Sequence, residues 1–239
     1  MPNTHFQFKQ FRIDQAKSGM KVTTDGCLFG AWVSDQMKNS QVRQVLDIGT
    51  GTGLLTLMLA QNTTALFTAV EYHSLAFEEA ILNISQSPWN ERITVHHCPI
   101  QDFQSDTAFD LIICNPPFFH QNKKGEQGHR NTAIHSDSLS IPDLVLSISR
   151  LLEETGVAYV MYPPHEMHLF EAEAQKMGIY PSAALHVRDN PEGAELRKMV
   201  GFSREMKPVA EEHLCIKNAS GAYSSEFVHL LKDYYLHLD

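Results

Sequence analysis

The fold is decided by the stretch Gln44-Val45-Leu46-Asp47-Ile48-Gly49-Thr50-Gly51-Thr52-Gly53-Leu54-Leu55-Thr56-Leu57-Met58-Leu59-Ala60. A short apolar run, a turn with three glycines and a second apolar run predict a strand, a tight turn and a helix. Glycines let a ligand approach the backbone of such a turn, and the free N–H groups at the helix start face that ligand. The stretch is therefore typical of the first crossover of a parallel sheet that binds a nucleotide.

Residues around this turn narrow the kind of nucleotide. Leu54 occupies the place of the third glycine in a dinucleotide fingerprint, which disfavours NAD. Asp47, directly before the turn, suits a cationic ligand better than a pyrophosphate. Glu71 ends the next predicted strand, residues 66–71, where a carboxylate can bind both hydroxyls of a ribose. The alternative for Glu71 is a surface glutamate at a strand end.

A third predicted strand, residues 92–98, leads into the turn Ile100-Gln101-Asp102-Phe103. Asp102 could accept a hydrogen bond from the exocyclic amine of an adenine, while Ile100 and Phe103 pack against its ring. The alternative is that Asp102 forms an Asx turn or caps a helix, which is a common use of aspartate in loops.

The fourth predicted strand ends at a polar, stiff sequence, Phe109-Asp110-Leu111-Ile112-Ile113-Cys114-Asn115-Pro116-Pro117-Phe118. Each proline lacks an N–H and restricts the preceding residue to extended geometry, so the Asn115 amide and the Pro116 carbonyl form a stiff pair of acceptors. Together with the aromatic face of Phe118, they suit a planar ring that carries an NH2 group. The alternative is that the prolines only end the strand and Phe118 fills the core.

Composition bounds the possible partners. The formal net charge of −9 disfavours a broadly basic surface for nucleic acid, although it leaves room for a local basic patch. Lys123, Lys124 and Arg130 are the first candidates for contacts with phosphates, and the alternative for them is a solvated loop. No apolar run approaches membrane-spanning length and the amino end has no signal core, so we expect a cytoplasmic protein without membrane contact.

The 4 cysteines are far apart and form no Cys-x-x-Cys pair, which predicts free thiols and no zinc site. His165-Glu166-Met167-His168 also lacks the spacing of the two-histidine zinc helix, so no metal is expected.

The rest of the chain alternates predicted helices and strands. A helix follows Glu71 with an apolar stripe of Phe77, Ala80, Ile81 and Ile84. Later strands are predicted at residues 157–161, 184–188 and 196–203, the last two as a hairpin, with another around residues 214–217. We expect one domain over residues 1–239, in which residues 1–40 are an extension that packs on the ligand site.

Four motifs follow four successive predicted strands: the glycine turn, Glu71, Asp102 and the Asn-Pro-Pro-Phe sequence. In this order of motifs, the chain resembles the class I S-adenosylmethionine-dependent amino-methyltransferases. The resemblance implies a Rossmann-like α/β fold: a mostly parallel seven-stranded sheet whose last strand is antiparallel. It assigns Glu71 to the cofactor ribose and Asp102 to its adenine. It also implies cofactor contacts for a further set, namely Asp47, Gly49, Gly51 and Gly53 at the methionine end and Thr24 in the extension. Asn115, Pro116 and Phe118 become the catalytic residues.

More narrowly, the whole chain resembles the bacterial tRNA1(Val) (adenine-37 N6) methyltransferases. The resemblance is carried by Lys21-Val22-Thr23-Thr24-Asp25-Gly26, Ala31-Trp32, Tyr223-Ser224-Ser225-Glu226-Phe227 and Tyr234-Tyr235. It implies methyl transfer to an adenine N6 in tRNA and leaves the oligomeric state open.

Three other functions remain open from the residues alone. A guanine-N2 enzyme acting on ribosomal RNA and a glutamine-amide enzyme acting on a protein need the same acceptors for an NH2 group. A cofactor-binding RNA adaptor without catalysis would also keep the glycine turn.

Overall fold

The computed structural model describes residues 4–38, 40–117 and 139–238. Its helices are α1 (Thr24–Met37), α2 (Leu54–Ala60), α3 (Ser74–Ser85), α4 (Ile141–Leu151), α5 (Pro164–Lys176) and α6 (Ser225–Leu231). Its strands are β1 (His5–Gln7), β2 (Arg12–Asp14), β3 (Gln44–Ile48), β4 (Leu66–Glu71), β5 (Ile93–His97), β6 (Phe109–Cys114), β7 (Leu152–Tyr162), β8 (Tyr180–Arg188), β9 (Glu195–Ser203) and β10 (Ala210–Cys215).

The main sheet has the strand order β10-β8-β9-β7-β6-β3-β4-β5, and β1 and β2 form a separate hairpin. Every neighbouring pair in the main sheet is parallel except the two made by β9, which is antiparallel to β7 and β8. The predicted α/β fold with a mostly parallel sheet is confirmed, but the antiparallel strand is β9 and not the last strand, since β10 is parallel to β8. The predicted count of seven strands was wrong because β10 pairs in parallel with β8 and covers that edge.

The centre of the sheet brings the predicted motifs to one edge. β3 lies between β4 and β6, in a register that places Ile48 beside Val70 and Cys114. The glycine turn, Glu71 and Asn115 follow these three strands, so they meet at the carboxyl ends of neighbouring strands. The strand order also reverses at β3, and ligands of open α/β sheets bind at such a switch point.

The buried face of α3 differs from the predicted apolar stripe. Ile81 is 43% exposed, whereas Glu79 and Asn83 are buried among the apolar residues of the same helix. Periodicity therefore misplaced Ile81, because this helix packs polar side chains against backbone groups of the extension.

The amino-terminal extension is integrated with both the sheet and the end of the chain. Phe8 forms a β-bridge with Tyr235, and its ring stacks on Phe11 at 4.4 Å between centroids. Helix α1 contacts α2 and α6 and is buried along most of its length. Asp25 of α1 forms an ion pair of 2.8 Å with Arg197 of β9. The extension thus packs against α2, α6 and β9.

Cys27, Cys98, Cys114 and Cys215 are all free thiols in this structure. Within the residues that the structure describes, no helix is long and apolar enough to cross a membrane.

Candidate active site

The backbone of the glycine turn requires glycine at three positions. Gly49, Gly51 and Gly53 have φ angles of +70°, +60° and +84°, in the left-handed region that other residues rarely adopt. The N–H groups of Gly49 and Thr50 donate to the Val70 carbonyl at 2.8 and 3.1 Å, which ties the turn to β4. A Cβ added at Gly49 or Gly51 would meet no atom within 4 Å, so this side of the turn is open to a ligand.

Asp47 lies fully buried beneath the turn. Its Oδ2 accepts hydrogen bonds from the Thr50 hydroxyl (2.7 Å), the Thr56 hydroxyl (2.7 Å) and the Thr56 N–H (3.2 Å). Its Oδ1 is buried and has no hydrogen-bond partner. Burial raises the pKa of Asp47 from 3.8 to about 6, and the threonine hydrogen bonds oppose that rise. The sequence motif singled out Asp47 and missed Thr50 and Thr56, whose hydroxyls gave no signal of their own.

Glu71, 6% exposed at the end of β4, faces the same turn. Its Oε2 accepts a hydrogen bond from the Gly51 N–H at 2.8 Å, and its Oε1 accepts one from the His73 N–H at 2.7 Å. The carboxylate is therefore held in place at the glycine turn by two backbone donors. A surface glutamate, the alternative reading of Glu71, does not match this position.

Asn115 is the first residue of the loop after β6, and its side-chain oxygen is an acceptor that receives no hydrogen bond. Its Oδ1 is buried and has no hydrogen-bond partner, and Asn115 lines a cleft together with the glycine turn. Pro116 is buried and Pro117 is exposed. An unpaired buried acceptor is costly, and such an atom in a cleft indicates a ligand group or a water that satisfies it.

The opposite side of this cleft comes from the extension. Five of its residues line the cleft and are here called the cleft wall: Met20, Lys21, Val22, Thr23 and Gly26. The other lining residues are Gly49, Thr50, Gly51, Thr52, Leu54, Leu55 and Asn115. The Thr23 hydroxyl caps α1 by accepting from the Gly26 N–H at 3.2 Å. Thr24, predicted to contact the cofactor, is the first residue of α1 and is exposed. Among these wall residues, Met20 lies outside the stretches quoted for the resemblance and carried no sequence signal.

The remaining predicted site residues lie further out. Asp102 is exposed in the turn after β5, whereas Ile100 and Phe103 are 5% and 6% exposed and belong to the core. Packing of Ile100 and Phe103 against an adenine ring stays a prediction. Phe118, Lys123, Lys124 and Arg130 lie outside the described residues. In residues 4–38, 40–117 and 139–238, no three side chains of His, Cys, Asp or Glu form a metal-binding group.

The arrangement fits a ligand that is both nucleoside-like and cationic. Asn115 Oδ1 is an unpaired buried acceptor in the cleft that the glycine turn lines, Asp47 Oδ1 is a second one buried next to the turn in sequence, and Glu71 binds the turn from the end of β4. These groups match the donors of S-adenosylmethionine, which carries an ammonium and a ribose with two hydroxyls.

Comparison with known proteins agrees with this geometry. A family model described as the methyltransferase small domain matches residues 31–136. A tRNA1(Val) (adenine(37)-N6)-methyltransferase from Cytophaga hutchinsonii is 38% identical over 242 residues, which cover 100% of both chains. A relative with the same description from Pseudoalteromonas translucida is 38% identical, covering 97% of this chain and 98% of its own.

Among solved structures, one described as a predicted O-methyltransferase from Agrobacterium tumefaciens has a TM-score of 0.61. It covers 87% of this chain and 95% of its own at 15% identity, so this likeness concerns the fold alone. The two relatives are 38% identical to this chain over nearly its full length, which is enough to assign its family. The chain belongs to the family of tRNA1(Val) (adenine(37)-N6)-methyltransferases.

Proposed function

We propose that this enzyme transfers a methyl group from S-adenosylmethionine to the N6 amine of adenine 37 in tRNA1(Val). The observation that carries the proposal is the unpaired, buried Oδ1 of Asn115 in a cleft shared with the glycine turn. It offers an acceptor for an amine next to a site for the methyl donor. The choice of adenine 37 in tRNA1(Val) is supported by the descriptions of the full-length relatives.

The cofactor site is assigned to the residues around the turn. Asp47, Gly49, Gly51 and Gly53 hold the methionine end, Glu71 holds the ribose, and Asp102 holds the adenine. The cleft wall closes the site on the side of the extension, with Thr23 in the wall and Thr24 at its border. When bound, S-adenosylmethionine supplies a methyl group that its sulfonium charge has already activated.

Asn115 and Pro116 act on the amine. An amine attached to an aromatic ring is a weak nucleophile because its lone pair is delocalised into the ring. Acceptance of its two N–H bonds by Asn115 Oδ1 and the Pro116 carbonyl fixes the orientation of that lone pair. Proximity and preorganised acceptors then account for most of the acceleration.

No general base is required among these groups. Neither an amide nor a peptide carbonyl titrates, so Asn115 and Pro116 hold the N–H bonds without removing a proton. The amine becomes acidic only as the methyl group transfers, and the proton can then pass to solvent.

Recognition of the tRNA is assigned to the segment after the Asn-Pro-Pro sequence. Phe118 is the proposed platform on which an unstacked adenine lies, a contact worth about 1–3 kcal/mol. Lys123, Lys124 and Arg130 are the proposed phosphate contacts, since the net charge of −9 leaves phosphate binding to local groups. A tRNA substrate also supports the proposal that the enzyme acts in the cytoplasm.

The test is methylation of defined RNA by the purified full-length chain. The protein is incubated with labelled S-adenosylmethionine and tRNA1(Val) transcript, and the RNA is digested to nucleosides. We expect label in N6-methyladenosine, and none from a transcript that carries guanosine at nucleotide 37. Label in guanosine, or only in protein, would overturn the proposal.

The role of Asn115 is tested in the same assay. Asn115→Ala removes the unpaired acceptor, so we expect turnover to fall by about 10²-fold, with the dissociation constant of S-adenosylmethionine changed by less than about threefold. Asn90→Ala is the matched control, because Asn90 is exposed at the amino end of β5, away from the cleft. Full activity of Asn115→Ala would contradict a catalytic role for this amide.

A further inference from the structure

Two buried polar side chains on α3 take no part in the site described above. Glu79 is 4% exposed and Asn83 is 1% exposed. They are four residues apart and therefore lie on one face of the helix. That face contacts residues 14–18 of the extension, here called the anchored segment.

Glu79 binds the end of the anchored segment. Its Oε1 accepts a hydrogen bond from the Lys17 N–H at 2.5 Å, and its Oε2 accepts one from the Ser18 N–H at 2.7 Å. One buried carboxylate thus holds two successive backbone N–H groups. Hydrogen bonds to an ionised acceptor are stronger than those between neutral groups, so this contact fixes the segment firmly.

Asn83 joins the start of the anchored segment to the glycine turn. Its Oδ1 accepts a hydrogen bond from the Asp14 N–H at 2.8 Å, and its Nδ2 donates to the Asp14 carbonyl at 2.9 Å. The same Nδ2 donates to the carbonyl of Thr52 at 2.8 Å. Thr52 lies between Gly51 and Gly53, so a single side-chain amide holds both the extension and the turn.

The anchored segment in turn holds the cleft wall. Gln15, 3% exposed, accepts a hydrogen bond from the Val22 N–H on its Oε1 at 2.7 Å. The Gln15 carbonyl accepts a hydrogen bond from the Lys21 ammonium. Val22 and Lys21 are both in the cleft wall, so hydrogen bonds and the backbone of the anchored segment together connect α3 to that wall.

We infer that Asn83 and Glu79 are positioning residues, which set the separation between the cleft wall and the glycine turn and thereby the affinity for S-adenosylmethionine. The inference rests on the proposed function, since it concerns the walls of the same cofactor site. If the wall is not held, binding of the cofactor must also order it, and that entropy reduces affinity. The acceptors for the amine, at Asn115 and Pro116, are not contacted by either side chain, so turnover at saturation should be preserved.

The test is Asn83→Leu in the full-length chain, which removes the hydrogen bonds at similar volume. In the cofactor-free protein, we expect amide hydrogen exchange in residues 14–26 to become at least about tenfold faster, with β3 unchanged. We expect the dissociation constant of S-adenosylmethionine to rise at least about tenfold, and turnover at saturating substrates to stay within about threefold.

Two further variants separate positioning from loss of stability. Glu79→Gln should also weaken binding, and the double variant should show less than additive loss, because both side chains hold one segment. Ile148→Ala is the control: it removes buried volume from α4 and should lower thermal stability while leaving cofactor affinity unchanged. Should Asn83→Leu fail to fold, Glu79→Gln carries the same measurements.

The outcomes are distinct. Unchanged exchange in residues 14–26, or an equal loss of cofactor affinity in Ile148→Ala, would overturn the positioning role. An equal loss in turnover and affinity would also overturn it. If the unaltered protein binds no S-adenosylmethionine, the proposed function fails instead, and the exchange rates still decide whether Asn83 and Glu79 hold the cleft wall.

Discussion

Asp47 is a carboxylic acid in an environment that opposes its charge. It is fully buried, and the nearby Glu71 carboxylate adds to the effect of burial, so its pKa rises to about 6 despite two threonine hydroxyls. An acid whose pKa is higher in the folded chain than in the unfolded chain takes up a proton on folding between those two values. Its ionised form therefore lowers stability above about pH 6, and acidification relieves that penalty.

The direction of this pH dependence of stability can be measured on the cofactor-free protein. We expect the melting temperature of the unaltered protein, relative to that of Asp47→Asn, to rise as the pH falls from 7 to 5. The asparagine variant has the same shape and cannot titrate here, so the difference isolates Asp47 from other carboxylates. A difference that stays constant over this pH range would mean that the Asp47 pKa is not raised.

At the scale of an element, the glycine turn combines backbone strain with an open face. Gly49→Ala places a methyl group in the cleft and forces alanine to φ +70°, at a conformational cost of about 1 kcal/mol. We expect a lower melting temperature and a dissociation constant for S-adenosylmethionine that is at least about tenfold higher.

Gly178 offers a matched control for this strain. It lies between α5 and β8 with the same φ of +70°, and a Cβ there also meets no atom within 4 Å. Gly178→Ala should therefore lower the melting temperature by a similar amount and leave cofactor binding intact. Equal losses of affinity in the two variants would show that strain, and not the open face at Gly49, explains the effect.

Elements with a local signal were predictable from the sequence. The β3–turn–α2 unit could be predicted because apolar runs and glycines within a few residues define it, and β6 because its run ends at Asn115-Pro116. The order of these units along the chain then placed Glu71 and Asn115 at one edge of the sheet, since parallel strands have their carboxyl ends together.

Features that depend on distant partners were not predictable. The buried face of α3 includes Asn83 because a backbone carbonyl and N–H of Asp14, 69 residues away, satisfy its amide. Periodicity counts such a residue as exposed and assigns Ile81 to the core in its place. The contact that holds the cleft wall was not predictable for the same reason, since the hydrogen bond from the Val22 N–H to Gln15 leaves no pattern in the sequence.

At the scale of the whole molecule, one core joins the extension to the sheet. The buried residues Phe8, Leu28, Leu57 and Phe227 belong to the same cluster as Val45 of the central strand. Residues 4–37 therefore contribute to the core that supports the cofactor site, and a core shared in this way should melt as a unit.

Phe8→Ala tests whether the extension and the sheet unfold in one transition. Phe8 is fully buried, so we expect a loss of about 3–5 kcal/mol in the free energy of unfolding. Calorimetry should still show one transition, at a lower temperature, with calorimetric and van 't Hoff enthalpies equal. Leu75→Ala is the control, because Leu75 is 53% exposed and its loss should change little. Two transitions, of which only the first shifts, would mean that the extension folds by itself.

The bridge between Phe8 and Tyr235 also sets an order of events during synthesis. Lys9 donates its N–H to the Tyr234 carbonyl and its ammonium to the Lys232 carbonyl, so the amino-terminal hairpin is paired with residues at least 223 positions later in the chain. Contacts of such long sequence separation form late. While residues 232–235 are still untranslated, the hairpin lacks its partner, and the enzyme acquires these contacts only after that segment has left the ribosome.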